Sequence, residues 1–138
     1  MKCLREFLTE GSYTKELEMT FPRCDLHRRA KLSTLLSFVA DVAGRDYDAR
    51  ELPYDRLLAM RQVFLLSRIT LHITRLPQME ALLSVTTRED GIHAAHLMRN
   101  FVMEDAQGVC VSARSAWILV DPVTRKILRP ESFQGKVV

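Results

Sequence analysis

Two carboxylates stand out by their surroundings. Asp25 lies in a loop that also holds His27, Arg28, Arg29 and Lys31. A carboxylate so placed can act as base or nucleophile, with the histidine as helper or proton donor. It can equally cap the loop or ion-pair within it. Asp41 stands four residues before Arg45, the spacing of a helical ion pair, so a structural partnership is its plainer role and acid chemistry its sharper one. Ser33 and Ser37 continue the same four-residue rhythm and either line a pocket or simply face water. His93 and His96 form an HxxH. On one strand, positions three apart face opposite sides and do not converge on an ion. No metal and no cofactor is expected. Cys3, Cys24 and Cys110 are odd in number, widely spaced and free of any CxxC pair. They read as reduced packing thiols of a cytoplasmic protein. Phosphate-binding loops (GxxxxGK[ST], GxGxxG) and the GxSxG nucleophile elbow are absent.

These residues must be positioned by elements whose periods are legible. Residues 12–22 alternate, with Tyr13, Leu17, Met19 and Phe21 on one face, and read as a strand ended by Pro22. Residues 31–45 carry Leu32, Leu35, Leu36, Val39 and Ala43 at helical spacing and close near Gly44. Pro53 opens a short helical turn over 53–60. From residue 62 the period becomes two. Val63, Leu65, Ile69, Leu71 and Ile73 share a face, interrupted by Ser67, while His72 lies on the other, at a surface or interface. Pro77 ends that strand. Strands over 80–89, 94–104 and 109–121 follow, with turn signals at Asp90-Gly91 and at 105–108. The tail with Arg125, Lys126 and Arg129 is expected to be exposed and mobile.

Strand, long helix, short helix and four closely linked strands imply an α+β fold with a mostly antiparallel sheet. The 138 residues fit one domain, 1–138, with its core over about 12–122. A net charge of +3 is too small to argue for nucleic acid. No apolar run approaches the roughly 20 residues of a membrane span, and no apolar stretch follows Met1 to Leu8 to suggest a secretory signal. Trp117 reads as a core or interface anchor.

Several segments, in order, carry a family resemblance: Arg23-Cys24-Asp25, Lys31-Leu32, Leu35-Leu36, residues 39–43, then Val63 through Arg68, Arg75-Leu76-Pro77, Ser115 through Asp121, Thr124-Arg125 and Arg129-Pro130. Over roughly residues 13–130 the chain resembles the bacterial acyl-ACP thioesterases and, more distantly, the plant ones. The resemblance implies the hot-dog fold, a five-stranded antiparallel sheet wrapped around a central helix. It also implies release of a fatty acid from acyl-ACP or acyl-CoA, in fatty acid biosynthesis. Members usually carry two hot-dog repeats, and this chain is similar to the first. The family's Asp-x-Asn-x-His motif belongs to the second repeat. The matching stretch here is Asp25-Leu26-His27-Arg28-Arg29, with His27 at the Asn position and Arg29 at the His position.

By that resemblance Asp25 is the catalytic base or nucleophile, His27 its helper and Asp41 a second acid. Ser33, Ser37 and Arg68 are the expected substrate contacts. The amides at the N-terminus of the central helix would hold the oxyanion. The alternative is a non-catalytic hot-dog domain that binds acyl groups or acyl carrier protein, whose acidic surface Arg28, Arg29, Lys31 and the tail cations would meet. A hot-dog dehydratase is a third reading, without an identifiable His and acid pair. A single repeat is expected to pair with a second copy, as a homodimer or an oligomer of dimers.

Overall fold

The computed structural model describes residues 4–133; Cys3 lies outside them. A short β1 (Glu6–Leu8) precedes β2 (Tyr13–Glu18), in which Tyr13 and Leu17 are buried by alternation. The strand stops before residue 22 because Phe21–Arg23 winds into a 3-10 turn with Pro22 in its first positions. The loop to Lys31 is pinned by bridges of Cys24 to Ala30 and of Arg29 to Gln78.

Helix α1 (Leu32–Ala49) buries Leu35, Phe38, Val39 and Val42. That face packs on a sheet core containing Leu17, Leu83, Val85, Phe101, Met103 and Val111. Each such side chain contributes about 2 kcal/mol, enough to override the weak helix propensity of the β-branched valines. The helix runs past its expected end at residue 45. Gly44 is interior to it, and Asp46 is buried in the turn beyond.

After α2 (Tyr54–Ala59) come β3 (Val63–Ile73), β4 (Leu82–His93), β5 (His96–Asp105) and β6 (Gly108–Val120). Among the described residues all strands form one antiparallel sheet in the order β1-β2-β4-β5-β6-β3, with β7 (Ile127–Leu128) beside β6. Strands β2 to β6 are the five expected, and β1 and β7 are short marginal additions.

Three local differences from the sequence expectation have clear causes. In β3 the register with β6 shifts between Leu66 and Arg68, leaving Ser67 as a bulge. Phe64 packs inward before it, and Ile69 and Leu71 pack inward after it, so the inward face changes parity at Ser67. Asp90-Gly91 does not turn the chain. Gly91, at φ 77°, sits in an irregularity of β4 between Glu89 and Ile92, and the hairpin reverses at Ala94-Ala95. His93 and His96 therefore stand directly opposite one another across that hairpin, rather than on one strand. Finally, the segment expected as a mobile tail is anchored. Arg125, Lys126 and Arg129 are exposed, but Ile127 and Leu128 pair with β6, and Phe133 is buried.

Phe133 meets Phe64 edge-on at 4.9 Å and Tyr47 at 5.7 Å, closing a second small core with Leu57 and Leu119. Phe133→Ala should cost about 3 kcal/mol of stability, measured by urea unfolding. An unchanged midpoint would mean that the tail adds nothing to the fold.

Candidate functional site

The C-terminal half of α1, with α2, β3 and the β4–β5 hairpin, encloses a cavity of about 630 Å³. This is within the range of small-molecule sites. Its wall is largely apolar, with Leu57, Phe64, Leu97, Met98, Trp117 and Phe133 contributing. The Trp117 indole N–H donates to Ser115 Oγ at 2.7 Å, which leaves its ring to face the cavity without an unpaired donor.

Five polar side chains line the same cavity, Tyr47, Asp48, Tyr54, Glu89 and Arg99, and Tyr47, Glu89 and Arg99 form one cluster. Glu89 and Arg99 are cross-strand partners of β4 and β5. The Tyr47 hydroxyl donates to Glu89 Oε1 at 2.7 Å. Burial pushes the Tyr47 phenol well above its ordinary value, so it stays a neutral donor. Arg99 Nη1 donates to Asp46 Oδ2 at 2.8 Å and to Thr87 Oγ1 at 3.0 Å. Its guanidinium lies 4.9 Å from the Tyr47 ring centroid. Asp46 also accepts from Arg50 Nε at 2.8 Å, and Arg50 donates to the carbonyls of Thr9, Glu10 and Ser12. The buried acid thus joins the end of α1 to β5 and, through Arg50, to the β1–β2 turn.

The residues singled out from sequence fall elsewhere. Asp25 Oδ1 accepts from the backbone N–H of His27 at 2.8 Å and of Arg29 at 3.1 Å. The Arg29 amide, and after it that of His27, hold the carboxyl below its usual range. Asp25 lines a separate surface pocket with Cys24, Leu26 and Met79. His27 is exposed. Burial raises the Cys24 thiol, which disfavours a reactive thiolate beside Asp25. Ser33, Ser37 and Asp41 do come together, in a third pocket with Lys15 and Arg45. There Asp41 pairs with Lys15 Nζ at 3.2 Å and Arg45 Nε at 3.1 Å. Arg68 is exposed on edge strand β3. None of the six lines the large cavity. No side chain caps the N-terminus of α1, so its first amides are not taken up by Asp25. Among the described residues no cluster of three or more His, Cys, Asp or Glu could hold a metal ion.

Sequence reasoning passed over Tyr47, Glu89, Arg99 and Asp46. For Glu89 and Arg99 the signal was parity. Leu83, Val85 and Thr87 set the inward face of β4, and Glu89 continues it. Phe101 and Met103 set that of β5, and Arg99 precedes them on the same side. A charge at an inward position is the mark of a buried pair.

Residues 10–132 match the family model of the acyl-ACP thioesterase N-terminal domain, and the chain belongs to that family. No match to a curated protein was found. Among solved structures, the chain is similar to a provisional oleoyl thioesterase of Lactobacillus plantarum (23% identity, TM-score 0.82), covering 86% of this chain and 46% of that one. It is also similar to an acyl-ACP thioesterase of Bacteroides thetaiotaomicron (23%, 0.79), covering 87% and 51%. A DHNA-CoA thioesterase of Staphylococcus aureus matches at 9% identity and a TM-score of 0.78, covering 89% and 83%. The chain thus spans about half the length of the first two. The fold is the hot-dog fold.

Two outcomes follow from the site's electrostatics. Asp46→Ala leaves Arg99 buried without its carboxylate and should cost about 3 kcal/mol, read by chemical denaturation, whereas Asp41→Ala, on a half-exposed pair, should change stability little. The Asp25 carboxyl should titrate by ¹³C NMR with a midpoint below the usual value of about 3.9. Because its folded pKa is depressed, the stabilisation it gives the loop is complete above that value and is lost as pH falls through the folded midpoint. A midpoint at or above the usual value would contradict the two amide contacts.

Proposed function

We propose that this member of the acyl-ACP thioesterase family binds the acyl part of an acyl-ACP or acyl-CoA and takes part in hydrolysing its thioester, releasing a fatty acid. One observation carries the reading. Leu32, Leu36 and Ala40 recur every fourth residue on the exposed face of α1, and the line continues through Ala43, Gly44 and Tyr47 into the cavity wall. From Ser33 to Ala43 the helix rises about 15 Å. An acyl chain laid along this track would place its thioester near the uncapped N-terminus of α1, whose amides suit an oxyanion. Asp25 and His27 lie in the loop that precedes that end, where one could activate water and the other carry a proton. Ser33 and Ser37 border the path, and Asp41 braces it through Lys15 and Arg45.

The exposed track needs a cover. β3 is an edge strand whose Leu65 and Leu66 are about half exposed, and an apolar edge of this length favours pairing with a second hot-dog unit. A homodimer, or an oligomer of dimers, would cover α1 and set Arg68 of one copy near the joint. The single domain, 1–138, would then be the working unit. Exposed Arg28, Arg29 and Lys31, near the thioester end, suit an acidic carrier protein. Among the described residues no helix is long and apolar enough to cross a membrane. The buried free thiols Cys24 and Cys110 accord with a reducing, cytoplasmic setting.

A second reading has its own observation. Asp25 Oδ1 is occupied by its own loop, and Arg29 stands where the family's histidine would be. Both favour a domain that holds acyl groups or carrier protein without cleaving them.

Thiol release from acyl-CoAs and acyl-ACPs of increasing length tests the two. Hydrolysis that tracks chain length, falls about 100-fold or more in Asp25→Asn, and shifts to shorter chains in Gly44→Leu supports the hydrolase. Gly44 lines the cavity and has open space beyond its Cβ position, so the leucine should shorten the pocket without disturbing α1. A flat panel with acyl binding retained supports the second reading.

A further inference from the structure

We infer that the cavity is shaped for an acyl chain bearing a hydroxyl group, with Glu89 as the residue that selects it. This rests on the acyl-binding reading above and sharpens its substrate class.

An apolar cavity for a plain alkyl chain has no use for a carboxylate in its wall. Glu89 is such a group, and its side chain is 27% exposed. Methylene groups filling the cavity would strip water from it, and an ionised group that loses water without a new partner is strongly penalised. Only one of its oxygens, Oε1, receives the Tyr47 hydroxyl. Behind it, Arg99 Nη2 is buried, makes no hydrogen bond and lies 3.7 Å from Glu89 Oε1. The cavity wall thus presents a carboxylate with one oxygen held by Tyr47 and a buried guanidinium behind it.

The charges decide what fits. Asp46 and Glu89 are matched by Arg50 and Arg99, so these four groups are neutral without a ligand, and exposed Asp48 adds one negative charge to the lining. A carboxylate on the chain would face Glu89 with no spare cation. An ammonium would compete with Arg99 for the same acid. An oxo group only accepts, and would bring no donor to Glu89 Oε2. A hydroxyl donates to Glu89 Oε2, the oxygen that Tyr47 does not bond. It also adds no net charge.

The test is calorimetric titration of the full chain with dodecanoic and hexadecanoic acids and with the monohydroxy positional isomers of each. At least one isomer should bind about tenfold more tightly than its unsubstituted parent, a difference of about 1.4 kcal/mol. Glu89→Leu should remove that preference and tighten binding of the parent acid, and Glu89→Gln, which keeps an acceptor, should retain part of it. Parent acids that bind as well as every isomer would overturn the inference and leave water as the partner of Glu89, with acyl binding intact. Failure of every acid to bind would overturn the acyl-binding reading and this one together. The wild-type ranking decides the matter even if a variant fails to fold.

Discussion

Asp46 is the point on which the architecture turns. It sits in the last turns of α1, almost wholly buried, and holds Arg50 on one oxygen and Arg99 on the other. A buried carboxylate is tolerated only with such pairing. Once made, the pairs fix three things. They hold α1 against β5, tie its end to the turn between β1 and β2, and orient the Arg99 guanidinium beside Tyr47 and Glu89. The helix therefore continues through Gly44, a residue that would otherwise favour an end by about 1 kcal/mol. Without that extension Tyr47 and Asp48 would not reach the cavity wall. One buried carboxylate and its two arginines thus set both the length of the central helix and the shape of the cavity beside it.

A second constraint is the bulge at Ser67. Before it β3 turns Phe64 toward the small core with Phe133, and after it the strand turns Ile69 and Leu71 toward the main core. An unbroken strand could serve only one of those parities, because side chains alternate strictly. The bulge lets a single edge strand seal two cores. Around it Leu65, Leu66 and Arg68 are all exposed, on the edge where another hot-dog unit would join.

The architecture was legible in the sequence because periodicity reports burial directly. The apolar stripe of 31–45 and the alternation after residue 62 gave the helix and the strands their type and order, and the motifs from Arg23 to Pro130 gave the family. Element ends were harder to read. They depend on partners far along the chain, such as Arg99 for the end of α1 and β6 for the docking of Ile127 and Leu128. Gly91 shows the limit of local signals. Asp-Gly favours a turn, yet here the positive φ serves a strand irregularity, and Ala94 takes the left-handed position in the hairpin. The site was least legible. The motif around Asp25 drew attention to one end of α1, whereas the cavity is built at the other, from residues whose types are ordinary and of which only the strand pair Glu89 and Arg99 is marked by parity.

That division along α1 is itself a physical argument about the protein's work. A polar loop with a carboxylate held low by two amides stands at the N-terminal end, and an apolar cavity stands beside the C-terminal half. Between them runs a face of Leu32, Leu36 and Ala40 that water wets poorly and that the described residues leave exposed. A row of exposed apolar side chains leading into an apolar cavity suits contact with an apolar ligand or a second surface. A ligand that is polar at one end and apolar along its length matches the gradient in both directions. On the proposed acyl-binding reading the same helix would act as a ruler, because its rise between the loop and the cavity would fix how many methylenes separate the reacting group from the pocket.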